Sequence, residues 1–398
     1  MSEWQRHSVT ELERAGVLLV QDGNHGNDRP RSHEFVSEGV AFVRAANMTS
    51  GRVDFRSASR INDVARNRIR KGVGRPGDVL LSHKGTVGRV AAVPLDAPEF
   101  VCSPQTTFWR SLDESRLDRT YLRCFMSSPD FVVQLDSRKG ETDMAPYVSL
   151  TEQRKLTVVL PPIAEQRAIA GVLGALDDKI ESNRRILDTA KRLITAEYQY
   201  VVSSVDDEPY GVRLDVQMGA PFKGEYFSEI GYGRPLIRIR DLKTFSSQVW
   251  STESRADEIG IVPGDILVGM DAEFRSTIWL GDAGVLNQRM CRFVPRKGVS
   301  RSFAWMAIQP ELEYCERAKS GTTVIHLNKG DIDRFRVPRL SDEQHEELSM
   351  VTEPIFDRLV VAGREISSLS GLRDALLPEL LSGRLRVRDA ERVVGGAV

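Results

Sequence analysis

A sustained heptad pattern in the middle of the chain constrains the fold more than any other feature of the sequence. Residues recur there at alternating spacings of four and three, which is typical of a helix that packs along one seam against another helix. The seam consists of Ile169, Leu173, Leu176, Ile180, Asn183, Leu187, Ala190 and Ile194. Asn183 is its one polar member and is expected to fix the register of the pair. Pro161 and Pro162 precede the seam, so we expect the helix to begin beside them.

A second seam of the same kind lies near the C-terminus. Its members are Leu348, Val351, Ile355, Leu359, Ala362, Ile366, Leu369, Leu372, Leu376 and Leu380. Pro354 is expected to kink this helix and Gly383 to end it. Each seam can cover the other, and chain order and pseudo-twofold symmetry favour an antiparallel coiled coil, in which a helix of about 36 residues would span roughly 54 Å. A coiled coil that only joins two copies of the chain is the alternative that the pattern leaves open.

The segments that precede the two helices repeat each other. Collinear matches pair Arg44 with Arg238, Asp78 with Asp265, Gln105 with Gln288, Pro129 with Pro310, and Leu150 with Leu327. Each segment combines short β-rich runs bounded by turns with stretches of helical pattern. The sequence therefore predicts a mixed α/β (α+β) fold, with two similar domains in tandem, two long helices and pseudo-twofold symmetry. The predicted boundaries are domain 1–160, helix 161–202, domain 203–340, helix 341–385 and C-terminal tail 386–398.

Composition narrows the class of protein. The chain has 398 residues, which is enough for two or three domains, and 41% hydrophobic and 28% charged residues, as in soluble globular proteins. Its net charge of −1 neither favours nor excludes binding to nucleic acid. No apolar run approaches the roughly 18 residues of a membrane span, and "MSEWQRHSVTELERAG" lacks the apolar core of a signal peptide. The separated cysteines fit a reduced compartment, so we expect a cytoplasmic protein.

No motif predicts catalysis by this chain. "GVGRPG" (72–77) has the G-x-G-x-x-G spacing but leads into an apparent strand, whereas a dinucleotide fingerprint opens a helix. "DEPY" (207–210) is similar to the D-P-P-Y motif of adenine methyltransferases, yet Glu208 replaces the first proline. His83 is interpreted as a loop contact rather than a base. Neither carboxylates for Mg²⁺ nor a Cys/His group with metal-ligand spacing is evident, so we predict no catalytic and no metal-binding residues.

Several long motifs resemble one protein family. "LPPIAEQRAIAGVLGALDDKIESNRR" (160–185) is similar to the central conserved region of the specificity (S) subunit of Type I restriction-modification systems. "LRDALLPELLSGRLRV" (372–387) resembles the end of that family's second conserved region, and "PGDVLLSHKGTVGRV" (76–90) a segment of its target-recognition domains. The resemblance covers essentially the whole chain. "PGDILVGMDAEFRSTIW" (263–279) departs from its first-unit counterpart, so that loop is not carried over residue by residue, and "LSDEQHEEL" matches more weakly than "IAEQRAIA".

The resemblance implies a non-catalytic specificity subunit of a multi-subunit DNA methyltransferase and endonuclease. Each target-recognition domain would read one half of a bipartite target in double-stranded DNA, and the two helices would space them. Two methyltransferase subunits would dock on the helices and two restriction (motor-nuclease) subunits would join for cleavage. S-adenosylmethionine, ATP and Mg²⁺ would be bound by these partners and no cofactor by this chain. A coiled-coil scaffold and a self-contained DNA methyltransferase or nuclease are the alternatives.

The predicted DNA contacts are loop residues whose side chains can bind base edges or phosphates. Arg and Lys match guanine and phosphate, Gln and Asn match adenine, and Ser and Thr match several base edges. In the first unit they are Ser82, Lys84, Thr86, Arg89, Gln105, Thr106, Arg138, Lys139 and Tyr147. In the second unit they are Lys223, Arg275, Ser276, Gln288, Arg289, Lys319, Thr322 and Thr323. The predicted partner-docking residues, taken as exposed and off the seam, are Glu165, Gln166, Arg167, Asp177, Asp178 and Arg184. For each of these residues a solvated surface is the alternative.

Overall fold

The computed structural model divides the chain into two compact units. It describes residues 4–140, 145–271, 273–319 and 326–396. Unit 1 comprises Met1–Lys179 and Leu369–Val398, and unit 2 comprises Ile180–Ser368. Each unit contains one globular part and a portion of each of the two long helices. Unit 1 consists of two separate pieces of the chain, whereas unit 2 is one continuous piece.

Unit 1 contains three sheets in its described residues. Its strands are β1 (Gln5–Ser8), β2 (Leu18–Asp22), β3 (Phe35–Val36), β4 (Val40–Val43), β5 (Met48–Thr49), β6 (Arg52–Val53), β7 (Ser59–Ile61), β8 (Val79–Ser82), β9 (Val90–Ala92), β10 (Phe100–Cys102), β11 (Thr106–Ser111) and β12 (Thr157–Leu160). Its shorter helices are α1 (Val9–Arg14), α2 (Asp63–Arg68), α3 (Arg119–Met126), α4 (Pro129–Asp136) and α5 (Leu150–Gln153). The strand orders are β1-β12, β10-β4-β7-β3 and β2-β11-β8-β9-β6-β5.

The globular part of unit 2 follows the long helix α6 (Ile163–Val201) and has a similar succession of elements, without counterparts of α1 and α2 among its described residues. Its strands are β13 (Asp207–Pro209), β14 (Leu214–Met218), β15 (Phe227–Ser228), β16 (Arg234–Ile237), β17 (Trp250–Ser251), β18 (Gly260–Ile261), β19 (Ile266–Gly269), β20 (Ser276–Ile278), β21 (Gly284–Leu286), β22 (Met290–Pro295) and β23 (Arg336–Pro338). Its shorter helices are α7 (Arg301–Ala307), α8 (Gln309–Lys319) and α9 (Lys329–Ile332). The long helix α10 (Asp342–Leu381) follows and leads to α11 (Val387–Gly395), which belongs to unit 1. The strand orders are β13-β23, β14-β22-β19-β20 and β15-β17-β16-β21-β18.

The same turn leads into a central strand in both units, which confirms the predicted repeat. The Asp78 carboxylate accepts a hydrogen bond from the backbone N–H of Arg75 at 2.7 Å. The Asp265 carboxylate accepts the corresponding bond from Val262 at 2.8 Å. The glycine before each aspartate has a positive φ, 83° and 94°, which a residue with a side chain rarely adopts. The Pro-Gly-Asp motif is thus repeated because both units need this turn.

The two long helices run antiparallel, as predicted. In unit 1, Arg373 of α10 forms an ion pair with Asp177 of α6 at 3.1 Å. In unit 2, the Asn183 amide donates a hydrogen bond to Glu365 at 2.8 Å. The partner number on α10 falls as the number on α6 rises, which defines the direction. Asn183 is buried and forms the polar contact that its place in the seam suggested.

The start of the second seam differs from the prediction. Val351 is 47% exposed, and the buried residues of this turn are Thr352 and Phe356. The Thr352 hydroxyl donates to the carbonyl of Leu348 at 2.6 Å, and the Phe356 ring joins the main core of unit 2. The helix turns this face inward because the aromatic ring buries more apolar surface than valine does. α10 continues through Pro354 as a single helix.

The C-terminal segment contains a further helix. The range that the sequence marked only as a tail, 386–398, includes α11, whose Val387, Ala390 and Val394 are buried in unit 1. Their spacing of three and four residues gives this short helix one apolar face. Ahead of it, Gly383 adopts a φ of 70° just beyond the end of α10, where the sequence placed the stop.

The corrected seam gives a direct stability prediction. Phe356→Ala should lower the free energy of unfolding of unit 2 by about 3–5 kcal/mol, because it leaves a cavity in the core. Val351→Ala, on the exposed side of the same turn, is the matched control and should change it by less than about 0.5 kcal/mol. Chemical denaturation followed by fluorescence measures both values. Equal losses of unfolding free energy in the two variants would indicate that Val351 packs in the seam, as its spacing predicts.

His345 in the first turns of α10 predicts a pH dependence of stability. Its ring packs edge-on against Phe303 at 4.7 Å, and neither ring nitrogen has a hydrogen-bond partner in the described part of the chain. Burial, followed by the positive charge of Arg213, lowers the pKa of His345 to about 4. The unfolded chain therefore binds a proton more readily, and folding stability from this residue is lost as the pH falls from about 6.5 towards 4.

Replacing this histidine tests the effect. His345→Phe should reduce the loss of unfolding free energy between pH 7 and pH 5 by on the order of 1 kcal/mol. The exposed His33→Gln serves as control and should leave the pH dependence unchanged. Denaturation midpoints measured across this pH range provide the comparison. An identical slope for wild type and His345→Phe would contradict the assignment of this titration to His345.

Candidate nucleic-acid interface

Three segments of unit 1 meet at one end of its largest sheet. The backbone N–H of His83 donates to the carbonyl of Gln105 at 2.9 Å, and the His83 carbonyl accepts from Val148 at 2.9 Å. The Gly85 N–H donates to Pro146 at 3.0 Å. We define the loop surface of unit 1 by the ranges 83–89, 103–105, 138–140 and 145–148. The predicted contacts of the first unit all lie on these ranges or directly beside them.

Two of these predicted residues face inward. Ser82 and Thr106 are fully buried. The Ser82 hydroxyl accepts from the N–H of Arg89 at 2.9 Å, and the Thr106 hydroxyl donates to the Ser103 carbonyl at 3.0 Å. Both are strand residues next to a loop, and the alternation of side chains along a strand points them at the core. They support the loop surface instead of forming it, which corrects the prediction that they contact DNA.

The other predicted side chains of unit 1 are accessible. The exposed members are Lys84, Thr86, Arg89, Gln105, Lys139 and Tyr147. Lys139 is paired with Asp136, and the half-buried Arg138 donates to the Lys155 carbonyl at 3.2 Å. The loop surface of unit 1 thus combines cationic side chains with an amide and a phenol, groups that bind phosphates and base edges.

Unit 2 builds an equivalent surface from equivalent segments. The Met270 N–H donates to the carbonyl of Arg289 at 2.9 Å, and the Met270 carbonyl accepts from Leu327 at 2.8 Å. We define the loop surface of unit 2 by residues 270, 271, 273–275, 287–289 and 326–327. Arg289, not Gln288, is therefore the counterpart of Gln105, so the predicted match was displaced by one residue. The reason is the strand register, since each of these two residues directly precedes a strand.

The chemistry of the two loop surfaces differs at matching positions. Lys84 forms a β-bridge with Tyr147 in unit 1, whereas Asp271 forms the corresponding bridge with His326 in unit 2. The Asp271 carboxylate lies 2.6 Å from the His326 ring and 3.8 Å from the Arg289 guanidinium. A cation in one unit is thus replaced by a carboxylate in the other, although the backbone contacts are the same.

The predicted residues of the second unit are only partly brought together. Arg275, Gln288 and Arg289 are exposed on the loop surface of unit 2. The Ser276 hydroxyl donates inward to the Trp305 carbonyl at 2.8 Å. The Lys319 ammonium donates to the His326 carbonyl at 2.7 Å and also pairs with Asp331. Lys319 thus connects the end of α8 to His326 and to α9.

Three further residues were predicted to contact DNA in the second unit, namely Lys223, Thr322 and Thr323. Lys223 lies beside the paired strands β15 and β17, where its N–H donates to the Glu253 carboxylate at 2.8 Å. Thr322 and Thr323 are outside the described residues.

Sequence reasoning missed a pair of arginines next to these surfaces. It used Arg44 and Arg238 only to align the units. Arg44 directly follows β4, whose last residue, Val43, accepts a hydrogen bond from the N–H of Ser103 at 2.8 Å. The guanidinium of Arg89 binds the carbonyl of Ala45 at 3.0 Å. The repetition of an arginine directly after a β-rich run was the signal that could have identified this position.

Two of the predicted docking residues on α6 are not exposed. Gln166 is buried, and its amide donates to the carbonyls of Pro161 at 2.8 Å and Arg116 at 2.9 Å. The Asp177 side chain is 18% exposed because it pairs with Arg123 of α3 and Arg373 of α10. Their exposure was predicted wrongly because a position off the seam is still covered where a third helix or a loop packs against the pair.

The remaining docking candidates are accessible to different degrees. Arg167 is exposed and donates to the Glu114 carbonyl at 3.2 Å. The Asp178 side chain is 81% exposed and pairs with Arg52 at 3.2 Å. Glu165 and Arg184 are half-buried. These four residues remain predictions for a partner contact.

The described residues contain no group suited to metal or thiol chemistry. No cluster of three or more His, Cys, Asp or Glu that could hold a metal ion occurs among them. All four cysteines are buried and unpaired, and burial raises the pKa of Cys102 and of Cys291 to about 12. Such thiols are poor nucleophiles because the thiolate is suppressed. In the same part of the chain, no helix is long and apolar enough to cross a membrane.

Comparison with known proteins gives consistent similarities. Residues 218–353, which cover most of the globular part of unit 2 and the start of α10, match the Type I restriction modification DNA specificity domain. The specificity subunit of the type I restriction enzyme EcoBI from Escherichia coli is 26% identical over 212 residues. That match covers 51% of this chain and 44% of the EcoBI subunit, so it spans less than half of that relative's length.

Two further similarities extend over nearly the whole chain. The MjaX type I specificity subunit proposed for Methanocaldococcus jannaschii is 19% identical over 393 residues, which cover 88% of each protein. The crystal structure of a Type-I restriction-modification S subunit from M. genitalium superposes with a TM-score of 0.64 at 15% identity. It covers 95% of this chain and 96% of that one, and confirms the predicted fold of tandem domains and long helices. The chain is thus similar to type I restriction-modification specificity subunits, through the match of residues 218–353 and, at low identity, over most of its length.

Proposed function

We propose that this chain is the DNA-binding specificity subunit of a type I restriction-modification complex and that it recognises a bipartite target in double-stranded DNA. The observation that carries this proposal is the repetition of one loop surface in both units. Each surface is built by the same two backbone connections and displays exposed arginine, lysine or glutamine side chains. Because the side chains at matching positions differ, each unit reads its own half of the target.

The proposal assigns the chemistry to partner proteins. Two methyltransferase subunits dock on the long helices, and two restriction (motor-nuclease) subunits join for cleavage. S-adenosylmethionine, ATP and Mg²⁺ bind to those partners, and this chain is not itself an enzyme. The exposed residues Arg167 and Asp178 on α6 support a docking face near the end of the helix that leaves the first domain. The complex acts in the cytoplasm, where it binds foreign DNA that has entered the cell.

The boundaries of the recognition domains are part of the proposal. The domains correspond to residues 1–160 and 203–340, joined by α6 and followed by α10. Because the sheets of each domain are complete within these ranges, one domain can be exchanged without cutting a strand pairing.

Exchange of one domain tests the function. Replacing residues 1–160 with the same region of a relative of different specificity should change one half of the methylated motif and leave the other half intact. Methylation mapped by long-read sequencing, in cells that also express the methyltransferase subunits, measures this. An unchanged motif, or a change in both halves, would refute separate reading by the two units. Methylation by the purified chain alone would instead reveal an enzyme, and DNA shifts without sequence dependence would indicate a scaffold.

Lys84 tests the loop surface of unit 1 by its charge. Lys84→Ala should weaken binding of the assembled complex to its target and reduce the slope of log K against log salt by about 1, the value for one lost phosphate contact. Lys297→Ala is the matched control, since this exposed lysine follows the opposite end of β22 from the loop surface of unit 2. Fluorescence anisotropy at several salt concentrations measures both slopes. The same slope for Lys84→Ala and wild type would place this lysine outside the contact.

A further inference from the structure

Arg44 occupies a position between two parts of the loop surface of unit 1. The residue before it, Val43, is hydrogen-bonded to Ser103 at 2.8 Å. The residue after it, Ala45, accepts a hydrogen bond from the Arg89 guanidinium at 3.0 Å. The backbone of Arg44 is therefore fixed on both sides by the segments that carry Gln105 and Arg89, and its side chain is exposed beside them.

Two aromatic rings hold the Arg44 guanidinium. Its central carbon lies 5.5 Å from the ring centre of Phe35 and 5.6 Å from that of Phe42, within the range of cation–π attraction. The two rings are themselves packed edge to face at 5.6 Å. In the part of the chain that the structure describes, this guanidinium makes no hydrogen bond and no ion pair with another residue. The rings thus orient a planar group while its N–H donors stay available.

The matching arginine of unit 2 is neutralised. Arg238 occupies the same place after β16, and the Asp241 carboxylate, which is buried, accepts from its backbone N–H at 2.9 Å. The same carboxylate accepts from the Arg238 guanidinium at 3.2 Å and 3.4 Å. In unit 1 the equivalent acceptor is the Asn47 side chain, whose oxygen binds the Arg44 N–H at 2.9 Å.

Unit 1 has Asn47 where unit 2 has Asp241, and this difference determines whether the neighbouring arginine has a counter-ion. Asn47 fulfils the same backbone role as Asp241, but it carries no charge, and its amide nitrogen donates to the Ser57 hydroxyl at 3.1 Å. An amide cannot form an ion pair with arginine. Unit 1 therefore keeps the turn and loses the counter-ion, which leaves the Arg44 fork free for an external acceptor.

We propose that Arg44 is a DNA-contacting residue of unit 1, which donates two parallel hydrogen bonds to a pair of adjacent acceptors on bound DNA. This inference rests on the proposed function and names one contact of it. The acceptors are either the O6 and N7 atoms of a guanine or two oxygens of a phosphate, which offer the fork the same geometry. Arg238 makes no such contact, because the Asp241 carboxylate offsets its charge and accepts from its Nε–Nη2 edge.

Four variants of the complex with its methyltransferase subunits test the proposal. The probe is a duplex oligonucleotide that contains the motif methylated by the wild-type complex. Arg44→Ala should weaken binding roughly 5- to 100-fold, as expected for one lost bidentate contact. Arg44→Lys keeps the charge but loses the fork, and should recover only part of the affinity. Arg238→Ala, the matched control, should bind within about twofold of wild type.

Asn47→Asp gives the sharpest test because it leaves Arg44 in place. The new carboxylate should pair with Arg44 as Asp241 pairs with Arg238, and should weaken binding to nearly the same extent as Arg44→Ala. Because unit 2 uses this aspartate in the same turn, the variant should fold, and thermal denaturation checks that it does. Wild-type affinity in both Arg44→Ala and Asn47→Asp would overturn the proposal while leaving the proposed function intact.

Altered oligonucleotides separate the two acceptors. If Arg44 reads a guanine, the loss in Arg44→Ala should disappear on a probe in which that one base pair is replaced. If Arg44 binds a phosphate, the loss should be the same for every probe, and the salt slope should fall by about 1. Either pattern supports the contact. A wild-type complex that binds the motif and a scrambled duplex equally would instead refute the proposed function itself, and this proposal with it.

Discussion

The burial of two apolar seams is the constraint on which the rest of the structure depends. Neither α6 nor α10 can leave its seam in water, and each covers the other over a part of its length within each unit. In unit 2 the same core contains Ile194 from α6, Phe356 from α10 and Phe303 from the globular part. The globular part thus completes its core only when both helices are present, which ties distant parts of the chain into one unit.

The sequence allowed the periodic features of the fold to be predicted, because they are local. Spacings of three and four residues defined both helices, and the Pro-Gly-Asp turns revealed the repeat. The misplaced face at Val351 shows the limit of this reasoning, since spacing alone does not tell which of two adjacent apolar stripes meets the core. The large ring of Phe356 decides that, through neighbours that are close only in the folded chain.

The candidate site was predictable as a set of loops and not as a set of side chains. The loop segments were recognised because glycine and proline bound them, and the structure brings those of unit 1 together. Whether a polar side chain in such a loop faces out depends on its neighbours. Ser82 and Thr106 lie next to exposed residues but are turned inward by their strands, and Gln166 and Asp177 are covered by elements far away in the sequence.

The availability of charge on each surface depends on local counter-ions and not on composition. The net charge of −1 and the matched backbones of the two units suggest no difference between them. Yet Arg238 is paired with Asp241, whereas Asn47 leaves Arg44 without a carboxylate. Asp271 stands where unit 1 has Lys84. A shared scaffold can therefore present two different patterns of donors and acceptors through single exchanges of charge, which cost the fold little because each turn keeps its backbone hydrogen bonds.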